Sequence, residues 1–316
     1  MTTSVFDAVM EQLTTAIDKD GNKLKMDSVI CSDIGGIRTH NFGDGGLVNL
    51  RSIAKPIACM AIGAAIDKGL SFDGVALSLD TPVWQFVSQY ATVQDEATRS
   101  GWEKVVLRDL LRVTLGHDKG LLFSKDTKGL DPETYVDYVV NYPITREVGR
   151  DFIYSNAGTF LFSTMVTEFL GTKLDEFVFG YVLEPLGISD FRWDSFGKYC
   201  AGCTGLWMRN EDLHKVGRLL LEDGELNGRQ IVPRHFVQEM RVPQVPAPTH
   251  RFVADRAFPK WSYGLNLWIC QDGNYYCDGT DGQYLIVIPK CGRVVSATGF
   301  QSDTIPVSEA LGLFKC

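Results

Sequence analysis

Ser52-Ile53-Ala54-Lys55, followed by Pro56 and the apolar run Ile57-Ala58-Cys59-Met60-Ala61-Ile62-Gly63-Ala64-Ala65-Ile66, is the stretch on which the reading of the chain turns. Its alanine-rich, mostly unbranched composition fits a buried helix better than a strand, and Asp67-Lys68-Gly69 supplies a C-terminal stop. Proline is tolerated in a first helical turn, where its missing N–H has no partner to lose, so the helix should begin close to Ser52. Ser52 then sits where unpaired N–H groups and the positive end of the helix dipole favour an oxyanion. Lys55, three residues on, lies on the same face within reach of the serine hydroxyl. A serine hydroxyl becomes a good nucleophile when a base takes its proton, and a lysine whose charged form is disfavoured by burial can be that base. The competing reading of the pair is a serine cap followed by a solvated lysine.

The chain has 316 residues, 45% of them apolar, with a net charge of −8. That is enough to bury a large core in one big domain or two. The acidic balance and the lack of basic clusters argue against nucleic acid or an anionic membrane as partner. The Ile57–Ile66 run is far shorter than the roughly 20 residues needed to span a bilayer. Residues 1–11 have no basic, apolar and small-residue succession of a signal peptide and read as an amphipathic helix. Eight cysteines, at 31, 59, 200, 203, 270, 277, 291 and 316, read as reduced thiols in a chain of this length, which points to the cytoplasm. Cys200-Ala201-Gly202-Cys203 has the spacing of a zinc or redox site, yet no second such pair or His-x-x-x-His accompanies it. No metal site and no cofactor are expected.

Taken in order, Ser28 to His40 shows β-type runs around Gly35-Gly36, as in a hairpin. From about Leu77 to Asp194 the pattern is helical and loop-rich, with apolar residues at helical spacing over Val105–Val113 and over Thr159–Leu170 before Gly171. From Cys200 onward a helix at Asn210–Asp223 is followed by strand candidates at Tyr263–Ile269, Tyr275–Cys277, Gln283–Ile288 and Arg293–Thr298, spaced as in an antiparallel sheet.

Two further stretches have chemistry to offer. Tyr154-Ser155-Asn156-Ala157-Gly158 lies on the loop before the Thr159 helix. A tyrosine whose hydroxyl reaches a lysine can serve as base or relay, and an asparagine amide can hold Lys55 and donate to a substrate carbonyl. Cys277-Asp278-Gly279-Thr280-Asp281-Gly282-Gln283 lies between two strands, where Asp-Gly is first of all a turn signal. A glycine-bearing edge strand also lets a substrate backbone approach, and the N–H of Thr280 can pair with that of Ser52 as an oxyanion hole.

In this order the three stretches resemble the serine β-lactamase and penicillin-binding-protein superfamily, in the Tyr-x-Asn form of class C β-lactamases, D-alanyl-D-peptidases and family VIII esterases. The likeness covers most of the chain. Val106 to His117 is similar to the family's "TLRDLLRHTSG" stretch, Phe152 to Gly158 to "F-x-YSN-x-G", Leu183 to Ile188 to "PLGM", and Leu219 to Gly228 to "LLLNGGxxNGK". The resemblance implies an α+β fold, an antiparallel sheet flanked by helices with an inserted all-helical domain. It divides the chain into a discontinuous sheet domain, 1–66 and 200–316, and a mainly helical domain, 67–199, with the active-site cleft between them. It also implies Ser52 as nucleophile, Lys55 as its proton acceptor or charge partner, Tyr154 as general base and later acid, and Asn156 as anchor of substrate and lysine. The N–H groups of Ser52 and Thr280 form the oxyanion hole, and Asp278, Gly279 and Cys277 line the substrate site.

One departure bears on the substrate. Where β-lactamases and peptidases of this superfamily carry Lys or His before Thr/Ser-Gly, this chain has Cys277-Asp278-Gly279, and an acidic residue there repels an anion. A neutral or cationic small ester or amide is the expected partner, rather than a penicillin or an acyl-D-Ala-D-Ala peptide. The alternative is a non-catalytic member of the fold that binds a ligand; retention of Ser52, Lys55, Tyr154 and Asn156 together argues against it. Trp84, Trp193, Trp207, Trp261 and Trp268 read as core or cleft wall, with Trp261 and Tyr263 the expected substrate contacts. His117 reads as structural, and Cys277 is a reactive thiol only if it faces the cleft.

Overall fold

The structure, a computed structural model, describes residues 4–247 and 257–316. Its centre is an eight-stranded sheet formed by β1 (Met26–Asp33), β2 (Gly36–Asn41), β3 (Val245–Pro246), β4 (Ser262–Tyr263), β5 (Trp268–Ile269), β6 (Tyr275–Gly279), β7 (Gln283–Ile288) and β8 (Arg293–Gly299), in the spatial order β3-β4-β5-β6-β7-β8-β1-β2. Every neighbouring pair is antiparallel. The period of two along β7 sends Tyr284, Ile286 and Ile288 to one face and Leu285 and Val287 to the other, and both faces are covered. On the first lie α1 (Val5–Thr15), whose inward face is Val9, Met10 and Leu13, and the C-terminal helix Ile305–Gly312. The fold is therefore the expected α+β arrangement of an antiparallel sheet between helices.

The core on the second face is continuous with the helices that matter for the site. Ala54–Asp67, here α2, is buried from Ala54 through Ala65, as its uninterrupted apolar sequence requires. It is entered through a short 3₁₀ turn, Arg51–Ile53, so Ser52 stands one turn ahead of the α-helix proper, and Pro56 falls in the first turn, where it removes no hydrogen bond. Further on come α3 (Leu107–Arg112), α4 (Ala157–Leu170) and α5 (Asn210–Leu221). The first ends at Val113 and the second at Gly171, both left-handed caps. The buried face of α5 lies against β1, β7 and β8, with His214 held between the hydroxyls of Ser32 and Ser296.

Two expectations are corrected. The run Tyr263–Ile269 is two short strands rather than one, because Gly264 to Leu267 turns back on itself: the Gly264 N–H donates to Leu267 O (2.9 Å) and Asn266 takes φ +57°. The eight cysteines are not all reduced. Cys291, in the turn between β7 and β8, is joined to Cys316, 25 residues later, and the other six are free and buried. Both partners are distant from any recognisable Cys motif, so spacing could not signal the pair. Among the described residues no helix is long and apolar enough to cross a membrane.

Candidate active site

Lys55 is fully buried, and its Nζ forms no ion pair with a carboxylate among the described residues. Its Nζ donates to Ser52 Oγ (3.0 Å) and to the backbone carbonyl of Cys203 (3.0 Å), and lies 5.0 Å from the centroid of the Tyr154 ring. Burial pushes its pKa down from 10.5 to about 8; the Cys203 sulfur and the Asp278 carboxylate oppose that shift. The amine beside Ser52 is thus one that gives up its proton close to neutrality.

Tyr154 reaches this group from the segment ahead of α4. That segment is fixed by its own motif: Ser155 Oγ accepts from the N–H of Leu121 (3.0 Å), the Asn156 N–H donates to Leu121 O (3.1 Å), and Asn156 Nδ2 donates to Leu122 O (2.8 Å). Gly158 allows α4 to touch α3, since a Cβ there would lie 2.1 Å from Leu110 O. The Tyr154 ring is layered between Phe123 (centroids 6.3 Å, 20°) and Trp268 (5.5 Å, 22°), with Tyr263 edge-on (5.9 Å). Burial, reinforced by Asp278, raises the phenol well above its usual pKa of 10, and only its hydrogen bond with Ser52 pulls it back. Tyr154 is a neutral donor at physiological pH.

The expected Asn156–Lys55 bond is not formed. The Asn156 donor goes to Leu122 O, its buried Oδ1 has no partner among the described residues, and Cys203 O takes the place beside the lysine.

The β6 end closes the group from the other side. Past Tyr276, among the described strands β6 pairs with β7 alone, because β5 is two residues long. Gly279 lies against the turn before Ser52; a Cβ there would be 2.5 Å from Leu50 O and 2.9 Å from Arg51 Cβ. Thr280 follows, exposed. Asp278 points to the aromatic wall: it accepts from Lys260 Nζ (3.0 and 3.3 Å) and from the Trp268 indole N–H (2.9 Å), while the Lys260 ammonium sits 3.9 Å from the centroid of the Trp268 ring. Cys277 points to the opposite side of the strand, 3% exposed, with burial pushing its thiol pKa far up. The Trp261 indole is 49% exposed and makes no hydrogen bond or ring contact with Ser52, Lys55 or Tyr154 among the described residues.

Ser52, Lys55 and Tyr154 are thus brought together, with Gly279 against the turn that leads into Ser52. Trp261 and the Cys277 thiol are not. Sequence reasoning missed Lys260, the Cys203 carbonyl and Phe123, and assigned Trp268 no definite part. A backbone carbonyl has no sequence signature, Phe123 is a lone aromatic in a loop, and only the position of Lys260 three residues ahead of a strand candidate hinted that it turns inward.

The Beta-lactamase family model matches residues 20–302, nearly the whole chain. The chain belongs to the Beta-lactamase family. Its family likeness extends at low identity to Protein Rv1367c of Mycobacterium tuberculosis, 22% identical over 275 residues that cover 72% of this chain and 67% of that one. Among solved structures the Beta-lactamase family chain resembles EstCE1, a hydrolase with promiscuous acyltransferase activity (TM-score 0.74, 16% identity, 98% of each chain covered). It also resembles the D-amino acid amidase from Ochrobactrum anthropi (TM-score 0.71, 14% identity, 98% of this chain and 99% of that one). At these identities the likeness speaks for the fold alone.

Proposed function

We propose that the chain is a serine hydrolase that forms an acyl-enzyme on Ser52 from a small ester or amide. The observation that carries this reading is Lys55, buried, 3.0 Å from Ser52 Oγ and hydrogen-bonded to neutral acceptors. With a pKa of about 8, about a tenth of the molecules hold the free amine at pH 7, enough for a positioned base.

The neutral Lys55 amine takes the Ser52 proton as Oγ attacks the substrate carbonyl carbon. The negative charge that develops on the carbonyl oxygen is met by the N–H groups of Ser52 and Thr280. Collapse breaks the bond to the leaving group, which receives a proton from Tyr154, and Lys55 returns a proton to the phenol. Water then attacks the acyl-Ser52 carbonyl, the amine again takes the proton and returns it to Ser52 Oγ, which leaves as the carboxylic acid product forms. The sheet part (1–66 and 200–316) supplies Ser52, Lys55 and Thr280 to this cleft, and the helical part (67–199) supplies Tyr154, Asn156 and Phe123.

Asp278 faces Lys260 rather than standing as a bare negative charge, so repulsion of anions is weakened. Support for an ester or amide rests instead on the hydrolase with promiscuous acyltransferase activity and the D-amino acid amidase among the structural neighbours.

The test is intact-protein mass after incubation with a serine-directed fluorophosphonate, with p-nitrophenyl butyrate and nitrocefin turnover, for wild type and Ser52→Ala. One adduct on wild type, none on the variant, and butyrate turnover well above nitrocefin turnover are expected. A folded wild type with no adduct and no turnover overturns the reading.

A further inference from the structure

Each proposed oxyanion donor has a charged neighbour in sequence: Arg51 immediately precedes Ser52, and Asp281 immediately follows Thr280. These two neighbours meet across the site. Arg51 Nε lies 2.9 Å and its terminal nitrogen 2.7 Å from Asp281 Oδ2, although 230 residues separate them. Both hold left-handed backbone conformations that side-chain-bearing residues seldom adopt, φ +54° for Arg51 and +71° for Asp281. Such conformations persist where the surroundings over-determine them. Here the Arg51 N–H donates to Asn49 Oδ1 (2.9 Å), the Gln301 N–H donates to Asp281 O (2.8 Å), and the bare Gly279 fits against Leu50 O and Arg51 Cβ.

We propose that the Arg51–Asp281 pair is a clamp that holds the Ser52 turn and the Thr280 turn at the separation an oxyanion needs, making both positioning residues for the acylation step. The inference rests on the serine-hydrolase reading above. The two N–H groups belong to different elements that share no backbone hydrogen-bond ladder, so their spacing has to be set by contacts between the turns. Gly279 supplies the close approach and the ion pair supplies the lateral register. At 42% and 36% side-chain exposure the pair is of the kind that adds little to folding stability. Its effect therefore falls on the rate, where donors misplaced by a fraction of an ångström lose much of their hold on the developing charge.

The experiment compares wild type with Arg51→Gly, Asp281→Gly, Asp281→Asn, Arg51→Lys and the double glycine variant. Glycine accepts the left-handed conformation without strain, so these variants remove the ion pair and leave the turns free to keep their shape. Each glycine variant should be phosphonylated at Ser52 about tenfold more slowly, with kcat for p-nitrophenyl butyrate down by about the same factor and KM within about twofold. The inhibition constant of phenylboronic acid, whose Ser52 adduct places an oxygen in the oxyanion site, should rise about tenfold too. The double variant should be no slower than either single one, Arg51→Lys should recover part of the rate, and thermal midpoints should stay within a few degrees of wild type. Asp281→Asn keeps the shape of the side chain and serves if a glycine variant fails to fold. Wild-type rates in the variants, or rate losses that multiply in the double variant, overturn the clamp while leaving the hydrolase intact. A wild type that takes no fluorophosphonate overturns the hydrolase reading and the clamp with it.

Discussion

Lys55 and Lys260 are both withdrawn from water, at 0% and 6% exposure, and both lie beside the aromatic group around Tyr154, but they keep different company. Lys55 faces a hydroxyl and a carbonyl, Lys260 a carboxylate and the face of an indole. Desolvation disfavours the charge on any buried lysine, whereas an opposite charge within a few ångströms favours it. Burial alone therefore does not make a base. What suits Lys55 to the proposed proton transfer is that its acceptors are neutral, with the charge of Asp278 turned towards Lys260 instead.

The largest effect should come from Lys55→Met, which keeps the stem and removes the amine: a loss of at least about a thousandfold in Ser52 phosphonylation. Lys260→Met should lose only about tenfold, measured the same way, and equal losses would erase the distinction between the two lysines. Gly279→Ala comes next. Its Cβ has no room against Leu50 O, and the shift of the turn should lower kcat by about ten- to a hundredfold with KM little changed.

The pH dependence sharpens the comparison further. A base must be deprotonated to act, and the Lys55 pKa is lowered to about 8, so kcat/KM should fall as pH drops through about 8. In Lys260→Met the Asp278 carboxylate loses that ammonium and bears more strongly on Lys55, favouring its charged form. The acid limb should then move to higher pH; a shift to lower pH would contradict this assignment of charges.

Two buried histidines complete the series with the smallest effect. His117, 2% exposed between Trp102 and Tyr142, has no partner on either ring nitrogen among the described residues, and burial pushes its pKa to about 4; His214, between two serines, is pushed equally far. Their folded pKa lies below the unfolded value, so their neutral forms add stability in full above pH 6.5, and it is lost as pH falls from 6.5 to 4. Each site accounts for up to about 3 kcal/mol over that window. Thermal melts of His117→Phe should show a flatter decline over the same range, with no change in butyrate turnover at pH 8.

How far the sequence foretold these features follows from the range of the interactions. Ser52 and Lys55 were legible because three residues on a helix make one face, and the strands because alternation has a period of two. The motif Tyr154-Ser155-Asn156 was legible by family likeness, but its hydrogen bonds were not. Asn156 turns to Leu122 O because the segment before α4 must hold its own loop, a choice between acceptors that spacing cannot express. Lys260, ahead of β4, and Asp278, on β6, are 18 residues apart, and Arg51 and Asp281 are 230 apart. Such pairs depend on register and on strand order. The split of β4 from β5 was within reach, since Gly264 and Asn266 are turn formers in an otherwise apolar run.

The enclosure of α2 on every side has a consequence for how the molecule comes into being. A helix with apolar residues all round has no face it can leave in water, so it gains its stability only once the sheet and the neighbouring helices are there to receive it. The proposed nucleophile, Ser52, thereby lacks its setting in any half-assembled chain. Recovery of Ser52 reactivity after dilution from urea should lag behind the return of secondary structure, making the enzyme a reporter of its own completion.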